Sequence, residues 1–203
     1  MRKIRLPILA AGVGLCSCSI LNSVMTMTQW KAAFDPSKFV DFTLNGQVTS
    51  SGEELASFAL LADGEQASWN VSYPDEDFYY DLSIEEGALF SSLAATVDLR
   101  PLLGLFADSF SDYGYYFGSY LATLAKSWAE RACDAVEGLG GIVEFVALPS
   151  SVESEVLFDG ALRVSKIDLK FDGATYNHHS ATGASAPLEL SLSFTSYGST
   201  ALQ

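Results

Sequence analysis

Short runs of alternating apolar and polar residues, separated by turn sequences, occupy most of the chain after Val40. Alternation with a period of two is typical of β-strands that bury one face and expose the other. Asp63-Gly64 stands between two such runs and is typical of a tight hairpin turn. Residues 40–99 are therefore predicted to form an antiparallel meander of five strands with one solvated face, in which the last strand runs from Leu89 to Leu99.

The period changes after Arg100-Pro101, where a second type of element is predicted. Five apolar residues spaced by 4, 3, 4 and 4 positions follow: Phe117, Leu121, Leu124, Trp128 and Ala132. This spacing places their side chains on one face of an α-helix. Glycines from Gly138 to Gly141 end the pattern, because glycine is common where a helix stops. Residues from about 102 to 138 are therefore predicted to be a helical block that includes an amphipathic helix.

Strand patterns return after these glycines. They cover Ile142–Leu148, Glu155–Phe158, Ala161–Phe171 and Leu188–Phe194. The segment Asn177–Pro187 is rich in small and polar residues and is predicted to be a loop. The whole pattern predicts an α+β fold, mainly antiparallel β, in which about 8–9 strands form a curved sheet with one helical block packed on or over it.

The first residues have the layout of a secretory signal peptide. Three basic residues precede an apolar run from Leu6 to Leu15, and that run is too short to span a bilayer. Leu15-Cys16-Ser17-Cys18 follows and resembles the lipobox of bacterial lipoproteins. The resemblance implies that Cys18 receives a diacylglycerol group, that the signal peptide of residues 1–17 is removed and that lipid holds the chain to a membrane.

The same resemblance implies a location and a division of the chain. The residue after the modified cysteine is Ser19 rather than aspartate, which in this family favours the outer membrane where the organism has one. Residues 18–37 are expected to form the lipidated N-terminus and a tether, in which Asp35-Pro36 ends any helix begun at Trp30. Residues 38–203 are expected to form a single β-rich domain in the cell envelope.

The processed chain is strongly acidic. Three of the 11 basic residues lie in the leader, so 8 Lys and Arg remain against 25 Asp and Glu, a formal net charge of −17. A surface of this sign repels phosphate backbones and anionic headgroups. Nucleic acid is therefore excluded as a partner, and the membrane is expected to be reached through the N-terminal lipid.

The sequence contains no pattern that points to catalysis or to a metal. His178-His179 are the only histidines, and as neighbours in a polar segment they are interpreted as a solvated loop end rather than as a metal site. Asp75-Glu76-Asp77 supplies only a fragment of a calcium loop and is interpreted as a solvated turn. Cys133, the lone thiol after processing, is predicted to be a half-buried helix residue. The chain is therefore predicted to be no enzyme, to have no catalytic residue and to need no cofactor.

The segment with the densest aromatic content is the candidate ligand-binding site. Its five candidate residues are Tyr113, Tyr115, Tyr116, Phe117 and Tyr120. Three of them are consecutive and cannot all face one core, and Gly114 and Gly118 permit movement, so one interpretation is a mobile aromatic lid over an apolar cavity. The other interpretation is an ordinary core helix, because large aromatic residues dominate many cores.

The order of elements, a lipid anchor followed by antiparallel strands with a helical interruption, resembles the open half-barrel of bacterial lipoprotein carriers and their membrane receptors. The resemblance covers about residues 38–197 and implies that the concave face of the sheet holds acyl chains. Non-enzymatic binding of a hydrophobic or lipidic ligand is therefore the first expectation. The alternatives are a surface module that binds glycan or protein through Trp69, Tyr79 and Tyr113, and a structural component of the envelope.

Overall fold

The computed structural model describes residues 24–199, so the signal peptide and Cys18 lie outside the described residues. The fold is mainly antiparallel β, with an open sheet of eleven strands and a smaller sheet of three. The strands of the large sheet are β1 (Asp41–Ser50), β2 (Glu53–Asp63), β3 (Gln66–Ser72), β4 (Asp77–Ile84), β5 (Leu89–Ser91), β6 (Thr96–Asp98), β7 (Gly114–Tyr116), β8 (Ser119–Leu124), β10 (Ser151–Phe158), β11 (Val164–Asp172) and β14 (Leu188–Thr195). The small sheet contains β9 (Val143–Ala147), β12 (Thr175–His178) and β13 (Ala181–Ala184).

Three α-helices accompany the sheets within residues 24–199. They are α1 (Met27–Ala33), α2 (Arg100–Asp108) and α3 (Lys126–Glu137). Single 3-10 turns lie at Pro36–Lys38 and Phe110–Asp112. In the described chain, α1 contacts α2, α2 contacts α3, and α3 contacts β8, β9 and β10. The helices therefore form one layer against the large sheet.

The strand β1 lies in the middle of the large sheet. On one side of it the chain forms the continuous meander β1 to β6, and on the other side the order is β14, β11, β10, β8 and β7. Neighbouring strands are antiparallel throughout. The last strand pairs with the first from Thr43 opposite Thr195 to Ser50 opposite Leu188, so the two ends of the described β-structure meet in mid-sheet.

The sheets contain more strands than the sequence pattern predicted. One reason is that the long strand predicted from Leu89 to Leu99 is a hairpin of β5 and β6. Its turn is closed by the Ser92 N–H, which donates to the carbonyl of Ala95 at 2.9 Å. The Ser92 hydroxyl also accepts the N–H groups of Ala94 and Ala95, each at 3.2 Å. A serine at the start of a turn competes in this way with strand pairing and reverses the chain.

A second difference lies inside the predicted helical block. The prediction of one helix through Phe117 and Leu121 is wrong, because this segment forms the hairpin of β7 and β8 between α2 and α3. Phe117 and Gly118 form its two-residue turn and have φ values of 43° and 91°. Positive φ at both central positions gives the turn that matches the twist of antiparallel strands. Tyrosine and phenylalanine also favour strands, so local preference and turn geometry agree here.

The third difference concerns the polar segment after Asn177. It was predicted to be a loop, but it contains β13 and continues the small sheet with β12 and β9. The Asn177 side chain accepts the N–H of Gly183 at 2.9 Å and so helps to close this hairpin. Tyr176 is the buried residue of β12, and its hydroxyl donates to the Ser50 hydroxyl at 2.6 Å. This side chain attaches the small sheet to the end of β1.

One face of the large sheet is buried along its whole width. In β14, for example, Leu188, Leu190, Leu192 and Phe194 are buried. The intervening residues, from Glu189 onward, face solvent to different degrees. This alternation is the pattern of a sheet whose one face carries the core and whose other face is hydrated. The antiparallel meander predicted from the alternation is confirmed, although it has six strands rather than five.

The helix α1 packs against the core rather than extending away from it. It begins with a capping box, in which Thr26 Oγ1 accepts the Gln29 N–H at 3.3 Å and Gln29 Oε1 accepts the Thr26 N–H at 2.9 Å. Trp30 and Ala33 are buried on its inner side, and Phe34 follows them into the core. Part of the segment that was expected to be a tether is therefore packed on the sheet.

Candidate functional site

Trp30 lies at the centre of an aromatic cluster on the buried side of the sheet. Its indole is fully buried, and its Nε1–H donates to the carbonyl oxygen of Phe106 at 2.8 Å. Five rings have centroids 5.0 to 5.6 Å from the indole centroid: Phe34, Phe110, Tyr113, Tyr120 and Phe158. Most of these contacts are tilted or edge-on, the arrangements that aromatic pairs prefer. Side chains thus fill the space over β8 and β10, near the β7 edge of the sheet.

A recess of about 380 Å³ opens beside the aromatic cluster. Tyr120 and Phe158 belong to the cluster and also form part of the recess wall. The other lining residues are Met25, Tyr115, Gly118, Asp159, Gly160 and Leu162. Asp159 is the one charged residue among them, so the recess presents a mostly apolar and aromatic wall.

The N-terminal end of the described chain lies at this recess. Met25 is buried, and its backbone N–H donates to the hydroxyl of Tyr120 at 2.7 Å. Cys18 precedes Met25 by seven residues in the sequence. Seven residues can span at most about 25 Å, which is the limit set by the covalent chain. The length of the chain therefore limits the separation between the backbones of positions 18 and 25 to about that distance.

The structure places the five aromatic candidates in three environments. Tyr113 is mostly buried in the core, where its hydroxyl is hydrogen-bonded to a β10 serine at 2.8 Å and burial raises its pKa. Tyr115 and Tyr120 line the recess and pack edge-on with centroids 5.2 Å apart. Tyr116 and Phe117 lie at the tip of the β7–β8 hairpin, 59% and 80% exposed. Two of the five candidates therefore form the recess wall.

The turn between β10 and β11 forms the polar rim of the recess. Asp159 accepts the backbone N–H groups of Ala161 at 2.8 Å and Arg163 at 2.9 Å, and its other carboxylate oxygen pairs with the Arg163 guanidinium at 2.7 Å. Burial alone raises the pKa of Asp159, but these hydrogen bonds outweigh it and lower the pKa below its usual value. Asp159 is thus ionised, its charge is balanced by Arg163, and the turn that carries both residues is fixed by hydrogen bonds.

A second recess, of about 400 Å³, lies on the other side of Leu162. Phe39 and Tyr197 contribute its aromatic wall, and Lys38 and Arg163 contribute its basic groups. The Arg163 guanidinium lies 4.9 Å from the centroid of the Tyr197 ring. Leu162 separates the two recesses and has a φ of 60°, an unusual conformation for a residue with a branched side chain.

A wider recess of about 610 Å³ lies on the solvated face of the sheet, and it differs in chemistry. Its lining includes the acidic residues Glu153, Glu155, Asp168 and Glu189 and the basic residues Lys166 and Lys170. The two lysines offset part of the charge of the four acidic residues: Lys166 pairs with Asp168 at 2.7 Å, and Lys170 lies opposite glutamates on both neighbouring strands. Opposite charges on neighbouring strands stabilise their pairing, whereas Glu155 lies opposite the like-charged Asp168.

The two histidines, interpreted from the sequence as a solvated loop end, lie at the end of β12 and in the turn that follows it. His179 stacks on the Tyr73 ring with centroids 4.2 Å apart, and its Nε2 lies 3.7 Å from carboxylate oxygens of Asp75 and Glu76. Among residues 24–199, no group of three or more His, Cys, Asp or Glu side chains is placed to hold a metal ion. The His179 contact joins the small sheet to the turn between β3 and β4.

Cys133 is more deeply buried than predicted, with 3% of its surface exposed on the inner side of α3. Burial raises the pKa of its thiol to about 12, and the negative charges of Glu137, Asp134 and Glu130 act in the same direction. The thiol is therefore protonated at neutral pH and packs as a small apolar side chain.

The residues suggested for a glycan- or protein-binding platform do not share a surface. Trp69 is 1% exposed and packs against Phe58 with ring centroids 5.0 Å apart. Tyr113 is in the core, as described above, and Tyr79 alone of the three is exposed. A binding platform needs neighbouring exposed rings, and these three residues do not provide one.

Sequence reasoning missed Met25, Phe158 and Leu162 as parts of the recess. Phe158 ends one predicted strand and Leu162 lies near the start of the next, and such positions carry no signal that distinguishes a recess from an ordinary turn. The signal that was available for Met25 is the pattern Thr26-x-x-Gln29, which marks a helix start and so implies that this segment packs.

The chain matches no known protein-family profile, and no curated protein resembles it at a significant level. Within residues 24–199, every helix is too short or too polar to cross a lipid bilayer.

Proposed function

We propose that this chain is a lipid-anchored lipoprotein of the cell envelope that binds a hydrophobic or lipidic ligand without catalysis. In this proposal Cys18 carries the lipid, and the outer membrane is its location where the organism has one. The ligand lies in the recess between the β7–β8 hairpin and the turn between β10 and β11. The observation that carries the proposal is the aromatic wall of that recess next to the point where the N-terminal chain arrives.

The open form of the large sheet supports the half-barrel shape that this proposal assumes. An open antiparallel sheet of eleven strands twists strongly, so it curves around whatever packs on its buried face. Here the aromatic cluster around Trp30 covers that face at β8 and β10, near the β7 edge, and the recess opens beside it. A ligand would therefore bind at one end of the half-barrel, against Tyr120 and Phe158, rather than along its whole length.

The chemistry of the recess favours one class of ligand. Its volume of about 380 Å³ is within the range of small-molecule sites, and its wall is formed mainly by apolar and aromatic side chains. Such a wall favours an alkyl chain or another apolar group, because burying apolar surface is the main contribution it can make. Asp159, whose charge is offset by its ion pair with Arg163, is the charged side chain at this recess and offers a hydrogen-bond acceptor to a head group.

Filling the recess tests the proposal with little risk to the fold. Gly160 lines the recess, a Cβ added there meets no atom within 4 Å, and its φ is not positive. Gly160→Leu is therefore expected to occupy the recess and to weaken binding of a fluorescent fatty-acid probe at least tenfold. The midpoint of urea unfolding is expected to change little, since a surface substitution of this kind costs about 0.5 kcal/mol or less.

Gly104→Leu is the matched control. Gly104 lies on α2, away from the recess lining, and a Cβ there also meets no atom within 4 Å. This variant adds the same side chain to the surface and should bind the probe as the parent does. Equal probe affinity in the parent and Gly160→Leu, or no probe binding by the parent, would remove the ligand-binding proposal.

A further inference from the structure

The tip of the β7–β8 hairpin exposes two aromatic rings that the fold does not bury. Phe117 is 80% exposed and Tyr116 is 59% exposed. Their centroids are 4.2 Å apart in an edge-on contact, so each ring packs mainly on the other. A pair of large apolar side chains at a hairpin tip is unusual for a surface in water.

The identity of residue 117 is also unfavourable for the turn in which it lies. Phe117 has a φ of 43° at the first central position of a two-residue turn. That position favours asparagine, aspartate or glycine, because a larger side chain is strained in the left-handed region. Phenylalanine there makes the turn less stable and adds no buried area to the core. The presence of phenylalanine at this position therefore indicates that its side chain contacts something outside the folded chain.

The hairpin segment and the N-terminal segment that meets it are uncharged in sequence, although the chain is acidic overall. No charged residue occurs from Tyr113 to Ala125, and none occurs from Ser19 to Trp30. These two segments meet at the recess through the hydrogen bond from Met25 to Tyr120. Val24 and Met27, on either side of Met25, are 65% and 55% exposed. The exposed apolar residues on both segments thus lie within two sequence positions of residues that line the recess.

We propose that the hairpin tip of Tyr116 and Phe117, together with the exposed Val24 and Met27, contacts the lipid bilayer that carries the anchor, with the two aromatic rings at the headgroup–acyl boundary. The inference rests on the proposed anchor at Cys18, which precedes Val24 by six residues and is therefore held within about 22 Å of it by the chain. Aromatic side chains favour this boundary, and the uncharged segments avoid the repulsion that an acidic surface meets at anionic headgroups. The recess then opens toward the bilayer, from which an apolar ligand would enter.

A tryptophan placed at the tip tests the contact. Phe117→Trp keeps an aromatic side chain in the turn, and Tyr79→Trp places the same fluorophore on another exposed site as a control, at a residue 72% exposed on β4. Both full-length variants are processed, purified and reconstituted in phosphatidylcholine vesicles. Emission of the added residue is obtained by subtracting the parent, which has three tryptophans. Quenching is measured with lipids brominated in the acyl chains and with aqueous acrylamide.

The expected result is that brominated lipid quenches Trp emission from position 117 and leaves emission from position 79 unaffected. Acrylamide is expected to quench position 79 and to leave position 117 unaffected. If the protein floats with the vesicles but both positions are quenched by acrylamide alone, the tip does not contact lipid and the anchor stands. If the protein floats and lipid quenches position 117, but Cys18 carries no acyl mass, the proposed contact of the tip with lipid is supported and the proposed anchor is wrong. If the protein neither floats nor shows lipid quenching, the proposed tip contact and the proposed anchor are both wrong.

Phe117→Asn gives a second, independent test that does not depend on the tryptophan variant folding. Asparagine before glycine suits this turn, so the urea midpoint is expected to rise relative to the parent. Loss of the ring is expected to speed transfer of the lipidated protein from labelled to unlabelled phosphatidylcholine vesicles. A transfer rate equal to that of the parent would contradict the contact.

Discussion

Trp30→Ala is expected to lower the free energy of unfolding by about 3–5 kcal/mol, the range for truncating a large buried aromatic side chain. The indole is fully buried among five rings, and its removal leaves a cavity in the centre of the aromatic cluster. The substitution also removes the hydrogen bond to the Phe106 carbonyl, which has to remain buried. Equilibrium urea unfolding followed by far-UV circular dichroism measures the loss.

Trp128→Ala is the matched control for this prediction. Trp128 is half-buried on α3, and its ring lies 4.8 Å from the Arg131 guanidinium. Loss of such a contact at a partly exposed site costs about 0.5–1 kcal/mol. A similar small loss for both variants would mean that α1 is not held on the sheet, and the aromatic cluster would then be open to a ligand.

Cys18→Ala is expected to move the protein from the membrane fraction to the soluble or the unprocessed fraction. The proposed anchor depends on one thiol, and two or three acyl chains hold a protein stably where weaker contacts do not. The apolar tip at Phe117 is expected to support only reversible association on its own. Detergent phase partitioning of cell extracts measures the shift.

Cys16→Ala controls for the loss of a cysteine in the same leader. In the proposed processing, Cys16 occupies the tolerant position of the motif and is removed with residues 1–17, so this variant should enter the detergent phase as fully as the parent. A Cys18→Ala protein that still partitions fully into detergent would show that the lipobox interpretation is wrong.

The strands that could be predicted are those in which burial of one face determines the sequence. In β1 and β14 each inward position must be apolar and each outward position can be polar, so the sequence alternates between the two types with a period of two. Phe42, Leu44 and Val48 are buried as that alternation requires. Asp63-Gly64 forms the turn after β2, because the φ of 93° at Gly64 suits glycine.

The elements that were mispredicted have short strands or a misleading period. In β13 all but one of the residues are exposed, so its pairing rests on backbone hydrogen bonds that leave no apolar pattern. In the β7–β8 hairpin, Phe117, Leu121 and Leu124 have helical spacing, yet Phe117 and Leu121 are exposed. Their spacing reflects a tip and a solvated strand face rather than one buried stripe.

The recess could not be predicted, because it joins parts of the chain that are far apart in sequence. Met25, Tyr120 and Phe158 meet there only after β8 has paired with β10. Local patterns report which face of an element is buried, not which elements are neighbours. The aromatic segment stands out by composition, but its division into core, wall and tip depends on the φ values at Phe117 and Gly118.

The most direct test of the account is native mass spectrometry of the purified protein, with Gly160→Leu measured beside it. The parent is expected to retain additional masses that are released on activation and that correspond to apolar ligands, beyond the acyl groups on Cys18. The Gly160→Leu protein is expected to carry the same acyl groups and to have lost those additional masses. A parent whose mass is that of the lipidated chain alone, in a preparation that also binds no fatty-acid probe, would contradict ligand binding by this protein.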